Sequence, residues 1–125
     1  MAAAVLAGLI AIGCGGVSDP SKNTVEPFSG VLPPGGQVTF QNINVSKNGE
    51  YSVKITALSP TPTAVLSVGW FQGGNCEFIM SSSYAELNRT ALAGAIFQKG
   101  AYCLQVADIG TLTVAQNFTV TVSHP

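Results

Sequence analysis

The sequence predicts an all-β protein, an antiparallel β-sandwich of seven to eight strands in a jelly-roll-like or immunoglobulin-like arrangement, with a small barrel as the competing closure. Three observations carry this. Short runs alternate polar and apolar residues with the period of two that a half-buried strand requires. Clusters of turn formers separate those runs at regular spacing. Helical patterning is absent past residue 14.

Taken in order, Gln37-Val38-Thr39-Phe40-Gln41 is the first short alternating run. Glu50 to Leu58 is the clearest, predicting Tyr51, Val53, Ile55 and Ala57 on one face and Ser52, Lys54 and Thr56 on the other. Ala64 to Trp70 is apolar on both faces except for Ser67, as expected of a central strand. Cys76 to Met80 and Leu92 to Phe97 are weaker candidates. Ala101 to Val106 turns Tyr102, Leu104 and Val106 inward, and Gln116 to Ser123 does the same with Phe118, Val120 and Val122. Between the runs, Pro33-Pro34-Gly35-Gly36, Lys47-Asn48-Gly49-Glu50, Ser59-Pro60-Thr61-Pro62, Gln72-Gly73-Gly74-Asn75 and Lys99-Gly100 supply turn chemistry. Asn48-Gly49 is the strongest hairpin signal among them.

Composition argues against most chemistry. The net charge is −1, with 5 Lys and Arg against 6 Asp and Glu. Lys22, Lys47, Lys54, Arg89 and Lys99 are spread thinly, so no nucleic-acid partner is expected. The carboxylates Asp19, Glu26, Glu50, Glu77, Glu86 and Asp108 share no spacing that gathers them on one strand face, and read as solvated surface charges. Ser81-Ser82-Ser83 has no glycine-flanked elbow and reads as a loop. The single histidine, His124, is next to last, where chain ends fray, and is read as having no function. Without a nucleophile beside a base, or carboxylates with separated pKa values, no enzyme is expected. No cofactor and no metal are expected. Asn44-Val45-Ser46, Asn88-Arg89-Thr90 and Asn117-Phe118-Thr119 match glycosylation acceptors.

The start of the chain has another character. Ala2 to Ile12 is apolar, too short for a membrane-spanning helix but of the length of a secretory core segment. Polar residues follow Cys14. Ala11-Ile12-Gly13-Cys14 resembles the lipobox of bacterial lipoproteins, with alanine at 11 where leucine is commoner and no Lys or Arg before the apolar run. The resemblance implies a signal peptide over 1–13, cleavage before Cys14, and acylation of Cys14 as a membrane anchor beyond the two-signal requirement. The missing basic residues imply a true start further upstream. Gly15 after the cysteine, where aspartate retains some family members at the inner membrane, favours the outer membrane or periplasm. Residues 14–24 read as a tether, rich in turn formers, and 25–125 as one domain.

With three cysteines in the chain, assigning Cys14 to lipid leaves Cys76 and Cys103 as a pair, the arrangement an exported domain uses. A metal site would need more ligands than His124 could add. Because Tyr102, Leu104 and Val106 take the core face, Cys103 is expected to point away from the interior. The bridge should then staple neighbouring strands, or a loop and a strand.

The order of features over Val38 to Val122 resembles the bacterial pre-peptidase C-terminal domain, a jelly-roll-like sandwich. The matching pieces are Val38-Thr39-Phe40, Gly49 to Ile55, Ala64 to Trp70, Lys99 to Val106 and Phe118 to Val122. Some members of that family bind calcium through acidic residues where this chain has Gln41, Asn42 and Asn44. Only Gly69-Trp70-Phe71-Gln72-Gly73-Gly74 suggests recognition, since adjacent aromatics in a strand face opposite ways. The reading is therefore a non-catalytic, lipid-anchored envelope module with a structural or protein-interaction role. A glycan-binding module using Trp70 or Phe71 is the alternative, and an unrecognised hydrolase comes third.

Overall fold

The computed structural model describes residues 20–82 and 84–125. Eight strands follow a 3-10 turn at Pro20–Lys22: β1 (Thr24–Leu32), β2 (Gln37–Val45), β3 (Gly49–Ser59), β4 (Val65–Gln72), β5 (Asn75–Ser81), β6 (Thr90–Ile96), β7 (Gly100–Ala107) and β8 (Gln116–His124). They form two four-stranded sheets in the orders β1-β8-β3-β6 and β2-β7-β4-β5, with every strand pairing antiparallel. This order, in which successive strands other than β4 and β5 cross between sheets, is that of a jelly roll. It decides between the two sandwich types the sequence allows.

Alternation places the core. Val53, Ile55, Leu66, Leu104, Val106 and Val120 are fully enclosed between the sheets, and Phe28, Phe40 and Phe118 interlock edge-on near one end. In β8, the central strand of its sheet, Gln116, Phe118, Val120, Val122 and His124 all face inward. Its polar residues line the outer face, where the Thr119 hydroxyl lies 2.8 Å from that of Ser29 on β1.

The structure departs from the sequence reading in three places, each with a local cause. β1 has no counterpart in that reading, because Pro27 and Gly30 interrupt its alternation and, as an edge strand, it leaves Val25 and Val31 exposed. Asn48-Gly49 does not close a hairpin, since β2 and β3 lie in different sheets. The two-residue hairpin is instead β4–β5, whose Gly73 and Gly74 take φ of 59° and 81°, the left-handed pair that such a turn requires. Ala57 is exposed rather than core-facing, because the β3–β8 register shifts between Ile55 and Ala57 and brings Leu58 inward.

The residues read as the end of a tether belong to the fold. The Asn23 side chain donates to the Glu50 carbonyl at 2.7 Å, and Thr24 pairs with His124. Cys14 and the rest of the proposed signal segment lie outside the described residues.

Candidate functional site

The two sheets do not close alike on both sides. At one side edge strands β1 and β2 follow each other through a short turn. At the other, edge strands β6 and β5 leave a gap that opens into an apolar cavity of about 250 Å³. Its wall is built by alternation: Trp70 and Val68 from β4, Tyr102 from β7, Tyr51 from β3 and Val122 and His124 from β8, with Met80 at the β5 edge. Gly94 on the inner face of β6 contributes no side chain, and the Tyr51 ring packs against it, Cε1 3.1 Å from where a Cβ would stand.

The polar groups of this wall are already engaged. Tyr51 Oη donates to Met80 Sδ at 3.2 Å, and Tyr102 Oη donates to the Gln98 carbonyl at 2.6 Å. Burial pushes both phenols up from their ordinary pKa, and Tyr51 adds to the rise in Tyr102; both therefore stay neutral. Trp70 stacks on Tyr102 with centroids 4.5 Å apart. The rim is apolar and open to water: Ile79, Met80 and above all Phe97, at 83% exposure, surround the mouth, with Phe78 beside them.

His124 corrects the sequence reading. It is only 3% exposed, because β8 runs to the end of the domain between β1 and β3, and its parity turns the ring inward. Nε2 donates to Glu26 Oε2 at 2.6 Å, and Nδ1 lies 3.0 Å from the Pro125 oxygen. Glu26, half-exposed to water, thus also serves as the partner of a buried ring. Asp108 is not idle either: its carboxylate accepts from the amides of Gly35, Thr111 and Leu112, tying the β1–β2 turn to the β7–β8 loop. These hydrogen bonds, that from Gly35 foremost, hold its carboxyl below the ordinary value.

Cys76 and Cys103 form a disulfide with Cα atoms 5.9 Å apart. The parity of β7 does place Cys103 opposite to Tyr102 and Leu104, but its partner is not on a neighbouring strand. Cys76 is on β5 and Cys103 on β7, with β4 between them, and Cys103 is fully buried. The crossing is possible because Gly69, paired with Cys103, turns its missing side chain outward. A Cβ there would overlap the Glu77 carbonyl. The backbone of β5 thus lies over Gly69 and carries Cys76 across.

Of the two aromatics singled out from sequence, the structure puts Trp70 in the cavity wall and Phe71 half-buried on the opposite face, across from Cys76. They do not share a site. The rest of the cavity wall escaped sequence reasoning because its residues come from seven strands spread along the chain. Of the serine run, Ser81 Oγ lies 2.7 Å from Ser67 Oγ and Ser82 Oγ accepts from the Leu66 amide, so both brace the sheet edge. Among the described residues, no group of three or more His, Cys, Asp or Glu could hold a metal ion.

Fold and cleft together define an eight-stranded jelly roll with one open, apolar side. The fold is similar to that of the Yersinia pseudotuberculosis-derived mitogen, with a TM-score of 0.57 and 10% identity over 82% of this chain and 87% of that one. It is similar also to Aeromonas hydrophila PliG, a periplasmic lysozyme inhibitor of g-type lysozyme, with a TM-score of 0.58 and 17% identity over 85% and 90%. At these identities the likeness is one of fold. No family model and no curated protein matches the chain.

Proposed function

We propose that this chain is an exported, lipid-anchored module of the cell envelope that works by binding another protein and carries no catalysis of its own. The observation that carries the reading is the open side of the sandwich, where an apolar cavity is rimmed by exposed Ile79, Met80 and Phe97. Contiguous apolar surface of this kind marks an interaction site when it stands among polar surroundings, and aromatic and methionine side chains are those that interfaces favour.

Three further points support it. The folds it resembles include a mitogen and a periplasmic inhibitor of g-type lysozyme. The disulfide suits an oxidising compartment, as does Ala11-Ile12-Gly13-Cys14. The jelly-roll strand order is the architecture that a pre-peptidase C-terminal domain would have. Glycan stacking is less favoured, because Trp70 faces inward and Phe71 is half-covered.

A photo-crosslinking residue at position 97 tests the binding reading in cells. One discrete protein adduct is expected there and none from position 111 at the far end of the sandwich; adducts that do not depend on position would refute it. For the anchor, Cys14→Ser should move the protein to the aqueous phase on detergent partition, and an unchanged membrane fraction would refute lipidation.

A further inference from the structure

The four sheet edges of this jelly roll are not equally protected against pairing with another strand. On β1, Pro27 removes a donor and Glu26 brings a charge. On β2, a register shift between Phe40 and Ile43, with Asn42 at φ 61°, breaks the ladder. On β5, Ile79 is bulged out between Val68↔Met80 and Gly69↔Phe78, and Glu77 adds charge. Such devices are how natural sheets protect an edge. β6 is the least protected: its one register shift, at Ala91 between Val53↔Leu92 and Lys54↔Thr90, lies at its start, Leu92 to Ile96 beyond it pairs without interruption with Gly49 to Val53 of β3, and the strand holds no proline and no charged residue. This edge also borders the apolar cavity.

We infer that the partner binds by strand addition, laying an extended, uncharged segment along β6 and seating one large apolar side chain, opposite Gly94, in the cavity beneath. The inference rests on the protein-binding reading above and specifies how it is met. An added strand would lie about 4.8 Å from β6, with alternate side chains directed between the sheets. At the level of Gly94 the sheet supplies no side chain of its own and the Tyr51 ring packs against the glycine, so the neighbour's side chain there would rest on Tyr51 at the mouth of the cavity that Met80 and Trp70 also line. The cavity asks for no hydrogen bond from its occupant, since the hydroxyls of Tyr51 and Tyr102 are already used, and the edge offers no charge for one to meet. Both features select an uncharged segment with an apolar anchor.

The test uses the full chain and the tightest tryptophan-free peptide selected on it from a random twelve-residue display library. Trp70 is the chain's single tryptophan, so its emission reports occupancy of the cavity. Expected are peptides with apolar residues at alternate positions and no charge between them, a shift in Trp70 emission on binding, and slowed amide exchange confined to residues 92–96. Met80→Glu, at a rim position that water already reaches, should weaken binding at least tenfold while the variant remains fully folded at the assay temperature. Failure to enrich any peptide, protection of an edge other than β6, or binding indifferent to Met80→Glu would overturn the inference. So would quenching of Trp70 by brominated decanoic acid in competition with the peptide, which would make the cavity an acyl site, or a dimer lost in Met80→Glu. In any of these cases a discrete adduct from position 97 would leave the broader reading standing.

Discussion

Gly69 occupies a position no other residue could fill, since any Cβ would meet the backbone of β5. Gly69→Ala should cost about 1–3 kcal/mol as overpacking, measured as a lower urea midpoint with an unchanged slope. His124 has a comparable stake, because its imidazole is the partner of Glu26 in the half-buried space between β1 and β8. His124→Ala should destabilise by about 1–3 kcal/mol, the range for stranding a buried hydrogen-bonding group, and Glu26→Gln by less. Asp108 gives a pH signature of known sign. Its folded-state pKa is lowered, so its contribution is present above the ordinary value of 3.8 and is lost as pH falls through the folded one. Asp108→Asn should therefore flatten the acid limb of the stability curve, read by thermal unfolding between pH 5 and pH 2. None of these roles could be read from the residues in isolation. A glycine inside an apolar run, a histidine near a terminus and a scattered aspartate acquire meaning only from strands that the chain brings in from far away.

Among the elements, β5 depends most on a single covalent link. It pairs on one side only, is broken by a bulge at Ile79, and leaves Phe78, Ile79 and Met80 in contact with water. The bond from Cys76 to Cys103, 27 residues apart, fastens it across β4 to the central strand β7. By the chain-entropy model a loop of that length contributes about 3.5 kcal/mol. The double variant Cys76→Ser/Cys103→Ser should lose stability of that order, with β5 amides exchanging first, and alkylation without reduction should label neither cysteine in the exported protein. The sequence announced the pairing through its odd cysteine count but not the path, since parity says which way Cys103 points and nothing about which strand lies beside it. β1 was hidden for a related reason. An edge strand need only bury one face and half its ladder, so Pro27 and Gly30 are tolerated there and the alternation that betrays inner strands is lost.

For the molecule as a whole, alternation in β2, β3, β7 and β8 was enough to announce a sandwich. It could not give the strand order, which depends on which runs pair across the fold, as the misleading Asn48-Gly49 illustrates. The cleft was illegible for the same reason, apart from Trp70. With most pairings joining distant parts of the chain, folding should be slow for a domain of this size, in milliseconds to seconds, which stopped-flow refolding with the disulfide intact would measure. The pairing of Thr24 with His124 also fixes an orientation. His124 belongs to the wall of the cleft, so the chain enters the domain at the end where the cleft lies. Ten residues, 14 to 23, can span at most about 35 Å when fully extended. A lipid on Cys14, as proposed above, would hold the domain within that distance of the bilayer, so the proteins it could meet are those lying close to the membrane surface, and lengthening the leash would widen that reach.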